Sequence, residues 1–527
     1  MDPVLYWNDV AIEVQRRDFT VGGEGDSLKP GALGAEQGGP TRTSRALAMV
    51  HIAIYEAVAH GDSTSGLAPF AAMIGQTPTR PATAPVNPGG GYDSFVAGTV
   101  CGAATTVLED LWRRQGDHVR SALDSYPRGA SATTFEAGVA YGLTIGKAVL
   151  DWRHQDGSHL PDDMTFSTQD GKHRPDPFSP GQQRLSTQWG SLRPFGIAPA
   201  AAGAAIHAPY LSPPPPIRSP RYNAALLDVK EKGAAASTSR SADETVEGIF
   251  WGYDGPRGLG VPPRLYNQVA RAFMTKHLAG NTAADNARLL ALLNTGMADA
   301  AIVAWSAKYD YDLWRPVVGI REHDAGFGPD NGAGAGAASG YCDPTWAPLG
   351  RPATNTPGEF YRTPDFPAYP SGHATFGAVS LRLLALFAAA KLGISSKEAM
   401  NTLKVAFVSD EFNGVNQDPK GDIRTFHVRE FSLAEGVIGN ALSRVWLGVH
   451  WRFDGLGAVA PDDLQADIPV DPAFSDKLSA PIEKSLGGVP AGLKIAAELF
   501  AGHFTPPPAP RPARPGAPLP RIPGVRR

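Results

Sequence analysis

Ser443-Arg-Val-Trp-Leu-Gly-Val-His450-Trp-Arg-Phe-Asp454 follows two earlier blocks, Lys308…Arg315-Pro316 and Pro370-Ser-Gly-His373, and the three together decide how this chain is read. They hold three cations, two imidazoles and a Ser-Gly pair. A phosphate-like anion taken out of water needs several fixed cations and directed donors to offset its desolvation. Lys308, Arg315 and Arg444 supply that charge. Lys308 and Arg315 stand seven apart in a segment that reads as helix, which predicts both within about 20° of one face. Pro370-Ser371-Gly372 precedes an apolar run from Ala374 to about Ala390, which predicts the Ser371 hydroxyl and the Gly372 amide at a positive helix N-terminus. His373 and His450 are each suited to be a ligand, a nucleophile or a proton shuttle. One pair of cations alone would read as a solvated helix face, and one Ser-Gly-His as a cap. All three blocks in this order imply a closed cage for one tetrahedral oxyanion.

These blocks are similar to those of the vanadium-dependent haloperoxidase family, within the wider acid-phosphatase superfamily. The likeness extends to Leu5-Tyr-Trp-Asn-Asp-Val10, Trp251-Gly-Tyr-Asp254-Gly, Pro262-Pro-Arg-Leu-Tyr-Asn267-Gln, Phe366-Pro-Ala-Tyr-Pro-Ser-Gly-His-Ala-Thr-Phe-Gly377, Glu411-Phe-Asn-Gly-Val-Asn416 and Gly487-Gly-Val-Pro490, which resemble the fungal-type chloroperoxidases. The resemblance implies a mainly α fold of two four-helix bundles with long connecting loops. It implies vanadate as cofactor, with His450 as the single protein ligand to the metal and Lys308, Arg315, Ser371, Gly372 and Arg444 around the oxygens. It gives His373 the acid/base role toward hydrogen peroxide and Lys308 a hydrogen bond to a peroxide oxygen. The partners implied are hydrogen peroxide, halide ions and small organic acceptors. The rival from the same superfamily is an acid phosphatase, with His450 as nucleophile and His373 as the acid.

Residues around the cage carry further expectations. Asp454, four residues after His450, is placed to fix an imidazole tautomer, as outer carboxylates commonly do; the other reading is that it ends the helix. Asp254 resembles the family aspartate that pairs with a site arginine, here Arg444. Trp305 and Phe366 match positions held by Trp and Phe in chloride-oxidising members, which implies an apolar halide pocket; core packing is the alternative. Arg444 and His450 are six apart, about 120° around an ideal helix, so His450 is expected at a helix end or break.

At 527 residues, 42% hydrophobic and with a formal net charge of −4, the chain is a globular protein with no bulk attraction to nucleic acid. No basic n-region and apolar h-region open it, and no apolar run of 18 residues is free of charge. The expectation is therefore no signal peptide and no membrane span, a cytoplasmic location with non-classical export left open, and an undetermined oligomeric state. Cys101 and Cys342 do not make a disulfide framework and read as free thiols.

Apolar periodicity predicts helices at about 44–60, 94–114, 132–153, 241–250, 263–277, 283–307, 374–392, 396–408 and 433–450, with almost no strand. Gln76–Gly91 and Ser212–Pro220 read as Pro-rich connections, and Gly326–Gly340 as a Gly/Ala surface loop without a phosphate-loop signature. The expected parts are 1–220 (N-terminal helices), 221–500 (C-terminal helices with the site) and a Pro/Arg-rich tail over 501–527.

Overall fold

Side-chain caps set most helix starts: Asp2, Ser131, Ser219, Ser241, Thr282, Ser371, Ser395 and Ser432 each accept a first-turn backbone N–H. A computed structural model describes residues 1–20, 34–73, 75–86, 90–329, 338–456 and 486–504. In chain order these form α1 (Pro3–Asp18), α2 (Gly39–Gly61), α3 (Gly90–Leu111), α4 (Gly116–Ser125), α5 (Ala132–Arg153), α6 (Pro220–Lys232), α7 (Ala242–Phe250), α8 (Pro262–His277), α9 (Ala283–Tyr311), α10 (Pro316–Arg321), α11 (Gly372–Leu392), α12 (Ser396–Thr402), β1 (Lys404–Val408), β2 (Val428–Ser432), α13 (Leu433–Trp446), α14 (Arg452–Gly455) and α15 (Gly488–Gly502). The mainly α class is as expected.

Two groups of four helices carry the core. α1, α2, α3 and α5 pack together, and α9, α11, α13 and α15 form the second group, with α2 against α9 joining the two. The α3/α5 contact is close because glycines face it. A Cβ on Gly98 would stand 2.1 Å from the Phe135 carbonyl oxygen, and one on Gly142 2.1 Å from that of Thr99. Gly98→Ala therefore forces the helices apart and is expected to cost about 1–3 kcal/mol, read as a lower melting temperature. An unchanged melt would show that the pair separates freely.

α9 and α11 are long and apolar enough to cross a membrane by length and composition, but 94% and 78% of their apolar windows are buried inside the fold. They are core helices.

Several element boundaries differ from those predicted. The helix expected over 396–408 stops at Thr402, and 404–408 pairs antiparallel with 428–432. Val405 and Phe407 face inward there while Lys404 and Ala406 face out, so a period of two overrides the helical reading. α9 runs to Tyr311 rather than 307, and α13 ends at Trp446 rather than 450. Helices α1, α4, α6, α10, α14 and α15 were not anticipated. Residues 212–219 contain no helix, as expected for their prolines, and Pro220 opens α6 as its first residue. Residues 87–89 of the first Pro/Gly connection, 330–337 of the Gly/Ala loop and the whole tail from 505 lie outside the described residues. Cys101 and Cys342 are both buried and free.

Candidate active site

Lys308 and Arg315 converge, but not by sharing a helix face. α9 ends at Tyr311, Asp312 turns the chain with φ 51° and ψ 39°, and Arg315 is the N-cap of α10 in extended backbone. Pro316 accounts for this, since the residue before a proline is pushed out of the helical region. The extended stretch lets Arg315 reach back: Nε donates to Phe366 O at 2.9 Å and Nη1 to Val449 O at 2.7 Å.

His450 sits beyond a helix end, as the spacing required. α13 stops at Trp446, and Gly448 turns with φ +74° where a Cβ would meet the Gly233 carbonyl oxygen at 2.4 Å. Glycine is needed there on both counts. His450 then lies just ahead of α14, and Asp454 is in the first turn of that helix rather than one turn further along a shared helix.

The tautomer of His450 follows from its two partners. Nε2 lies 3.1 Å from Arg315 Nη1, and a guanidinium only donates, so Nε2 presents its lone pair. Nδ1 therefore carries the proton and donates to Asp454 Oδ2 at 2.8 Å, which also accepts the Trp451 N–H at 3.0 Å. An imidazole held this way is oriented at both nitrogens, and burial, then Arg315, holds it well below the usual histidine range, so it stays neutral with an unprotonated Nε2.

Arg444, fully buried, donates two bonds to Asp254, at 3.0 and 2.8 Å. Burial pushes the Asp254 carboxyl up, but Arg444 and the two N–H bonds outweigh it and hold it below the ordinary range. Ser371 caps α11 by accepting the Ala374 N–H at 3.3 Å, which leaves its own proton to donate. Gly372 is the first residue of α11, where its N–H has no intrahelical acceptor.

Lys308 is fully buried, and its ammonium donates to Pro367 O, Ala368 O and Pro370 O at 2.7, 3.0 and 2.5 Å. Its three protons thus brace the loop that delivers Ser371, so a hydrogen bond to an anion requires one of these carbonyls to be released. Burial, then the neighbouring Arg315, pushes the Lys308 ammonium well below its usual range.

His373 Nε2 is 2.6 Å from Gly252 O. A carbonyl only accepts, so Nε2 is the protonated nitrogen and Nδ1 the basic one. Burial together with Arg444 lowers His373 to about 3, so the ring is neutral.

The aromatic pair divides. Trp305 is fully buried, its indole N–H bonded to Leu185 O at 3.1 Å, whereas Phe366 lines a cleft of about 410 Å³ that also reaches Asp254 and His373. The two rings touch, with centroids 4.8 Å apart, and Lys308 Nζ lies 4.9 Å from the Phe366 centroid. One neighbour escaped the motif reading altogether. His173 is buried, both ring nitrogens lack a partner among the described residues, and burial and then Arg315 hold it well below the usual histidine range. Its context, Lys172-His-Arg-Pro-Asp176, carried no spacing signal.

Taken as chemistry, the arrangement suits an oxyanion, with buried cationic donors around two neutral imidazoles. Arg315 Nη2 and Arg444 Nε are buried donors without a partner among the described residues. Unmet guanidinium N–H groups of this kind are costly unless an anion accepts from them. Together with the Ser371 proton, the Gly372 amide and the His450 lone pair, they fit a tetrahedral oxyanion bound through its central atom.

Fold and cage define a mainly helical protein of two packed helical groups, with the candidate site held largely by the second. Residues 288–460 match the family model of the VCPO second helical-bundle domain. The vanadium chloroperoxidase of Curvularia inaequalis is 29% identical over 595 aligned positions, covering 96% of this chain and 90% of that protein. A bacterial vanadium-dependent iodoperoxidase structure superposes with a TM-score of 0.63 at 18% identity, covering 95% of this chain and 97% of that one. A holo-type bacterial vanadium-dependent chloroperoxidase superposes with a TM-score of 0.55 at 14% identity, covering 88% and 93%. Over nearly its whole length the chain is similar to a vanadium chloroperoxidase, and its fold is that of the vanadium-dependent haloperoxidase structures.

Proposed function

We propose that the protein is a vanadate-dependent haloperoxidase that uses hydrogen peroxide to oxidise bromide and chloride to hypohalous acid, which halogenates organic acceptors. The observation that carries this reading is the His450 ring, its Nδ1 proton held by Asp454 and its Nε2 lone pair turned to Arg315, a buried guanidinium whose Nη2 has no acceptor among the described residues. Vanadate, when bound, supplies a Lewis-acid centre that makes a peroxide oxygen electrophilic. His450 is the residue that would ligate it, and Arg315, Arg444, Ser371 and Gly372 would hold its oxygens, with Lys308 adding charge.

The chain's own residues then do the rest. His373 takes the peroxide proton at Nδ1, while Gly252 O keeps the ring oriented. Asp254 holds Arg444 in place without neutralising its Nε edge. Phe366, backed by Trp305, gives a halide a poorly hydrated wall to approach along. The sum is peroxide plus halide plus a proton giving hypohalous acid and water.

The test is an assay of purified protein with and without orthovanadate, using peroxide with bromide or chloride and monochlorodimedone, beside a chromogenic phosphate ester. Halogenation that depends on added vanadate is the expected result. Ester cleavage without vanadate, and no halide oxidation with it, would replace this reading with the acid phosphatase in which His450 is the nucleophile.

A further inference from the structure

We propose that the cleft in front of His373 binds an organic acceptor carrying an anionic group, held by Arg42, so that halogenation is directed onto a bound ring. This rests on the haloperoxidase reading above and names its acceptor class.

The cleft has the dimensions of a ligand site. Its volume of about 410 Å³ lies within the usual range for small-molecule pockets, and Phe19, Leu185, Val261, Pro364 and Phe366 give it apolar walls. It runs to His373 and Asp254, so a ring seated there faces the place where hypohalous acid forms.

Of its five charged side chains four have a polar neighbour, which for Asp365 is a neutral amide, and Arg42 has none among the described residues. Asp254 is taken by Arg444, and Glu36 faces Arg114 at 3.4 Å. Arg351 lies 4.0 Å from Glu359, and Asp365 accepts from Gln182 Nε2 at 3.0 Å. Arg42, half-buried on the first turns of α2, has no hydrogen bond or ion pair among the described residues. A guanidinium partly removed from water without a counter-charge is improved by any carboxylate, sulfonate or phosphate that reaches it. The end of α2 adds to this attraction, because its N-cap is Gly38, which supplies no side-chain acceptor to the first amides.

An acceptor held at Arg42 by its anionic group, with its ring between Phe19 and Phe366, undergoes substitution by balanced steps. A ring carbon forms a bond to the halogen of hypohalous acid as the halogen–oxygen bond breaks. Hydroxide leaves and takes the proton lost from that carbon as water.

Isothermal titration of the full chain, its cage filled with orthovanadate, compares 3-hydroxybenzoate with its neutral methyl ester. Arg42→Gln is expected to weaken the anion about tenfold and the ester hardly at all, with Arg42→Lys retaining part of the affinity. This readout needs no turnover, so it stands apart from the test of haloperoxidase activity. Bromination by the wild type should give an isomer ratio different from that of added hypobromous acid, moving toward it in Arg42→Gln. Equal affinity of wild type and Arg42→Gln for the anion, or an isomer ratio identical to that of free hypobromous acid, overturns the proposal.

Discussion

His450→Ala loses orthovanadate binding and halide oxidation together, whereas His373→Ala still binds the anion and loses turnover. The difference follows from what each ring does. His450 presents a lone pair at Nε2, its orientation fixed at both nitrogens. Loss of a supporting group around a metal ligand typically costs 10–100-fold in affinity, and loss of the ligand itself is expected to exceed about 100-fold. His373 offers a base at Nδ1 and no part of its structure holds the oxyanion; removing it should lower the rate by about 10²–10⁴-fold, the usual worth of a positioned acid/base group. Equilibrium dialysis with orthovanadate and steady-state halogenation, run on both variants, separate the two roles. Vanadate-dependent turnover surviving in His450→Ala contradicts the ligand assignment, and an unchanged rate in His373→Ala removes the proton-transfer role.

Asp254→Ala is expected to be the most destabilising single change at the site. It strips the two-bond partner from Arg444, a fully buried guanidinium whose Nε already lacks a partner among the described residues. Breaking one side of a buried ion pair costs about 3–5 kcal/mol, because the remaining charge has neither water nor a counter-ion. The pH dependence has a definite sign. Asp254 is held below its ordinary value of 3.8, so the pair's contribution is complete above about pH 4 and is lost as the pH falls through the lower folded value. Melting curves should therefore show wild type and Asp254→Ala well separated at neutral pH and converging in acid. Curves that coincide at neutral pH would mean that Arg444 finds another partner.

Particular residues show where the chain could be read directly. Ser371 is at a helix start because a Pro-Ser-Gly entry followed by a long apolar run admits little else, and the Asp254–Arg444 and His450–Asp454 pairs form where local spacing and family likeness put them. The Lys308–Arg315 argument reached the right meeting point by the wrong route, since Pro316 breaks the helix that was supposed to align them. Val405 and Phe407 look helical in isolation and become strand because Val428–Ser432 is available to pair with them. The glycines of α3 and α5 were passed over because a small residue makes no hydrophobic signal, although their four-residue spacing on both helices was visible.

The residue types alone supplied the ingredients of the proposed oxyanion site, namely three cations, two imidazoles and a capped helix start, because charge and donor capacity belong to the residue itself. Tertiary structure decided everything that depends on direction. It set which nitrogen of His450 carries the proton, by placing a donor on one side and a carboxylate on the other. It tied the Lys308 ammonium to three carbonyls and left Arg42 without a partner among the described residues in a cleft drawn from α2, α8, α11 and the loops before them. Charge and size are properties of a residue, whereas hydrogen-bond direction and desolvation are properties of its surroundings, and these come from segments hundreds of residues apart.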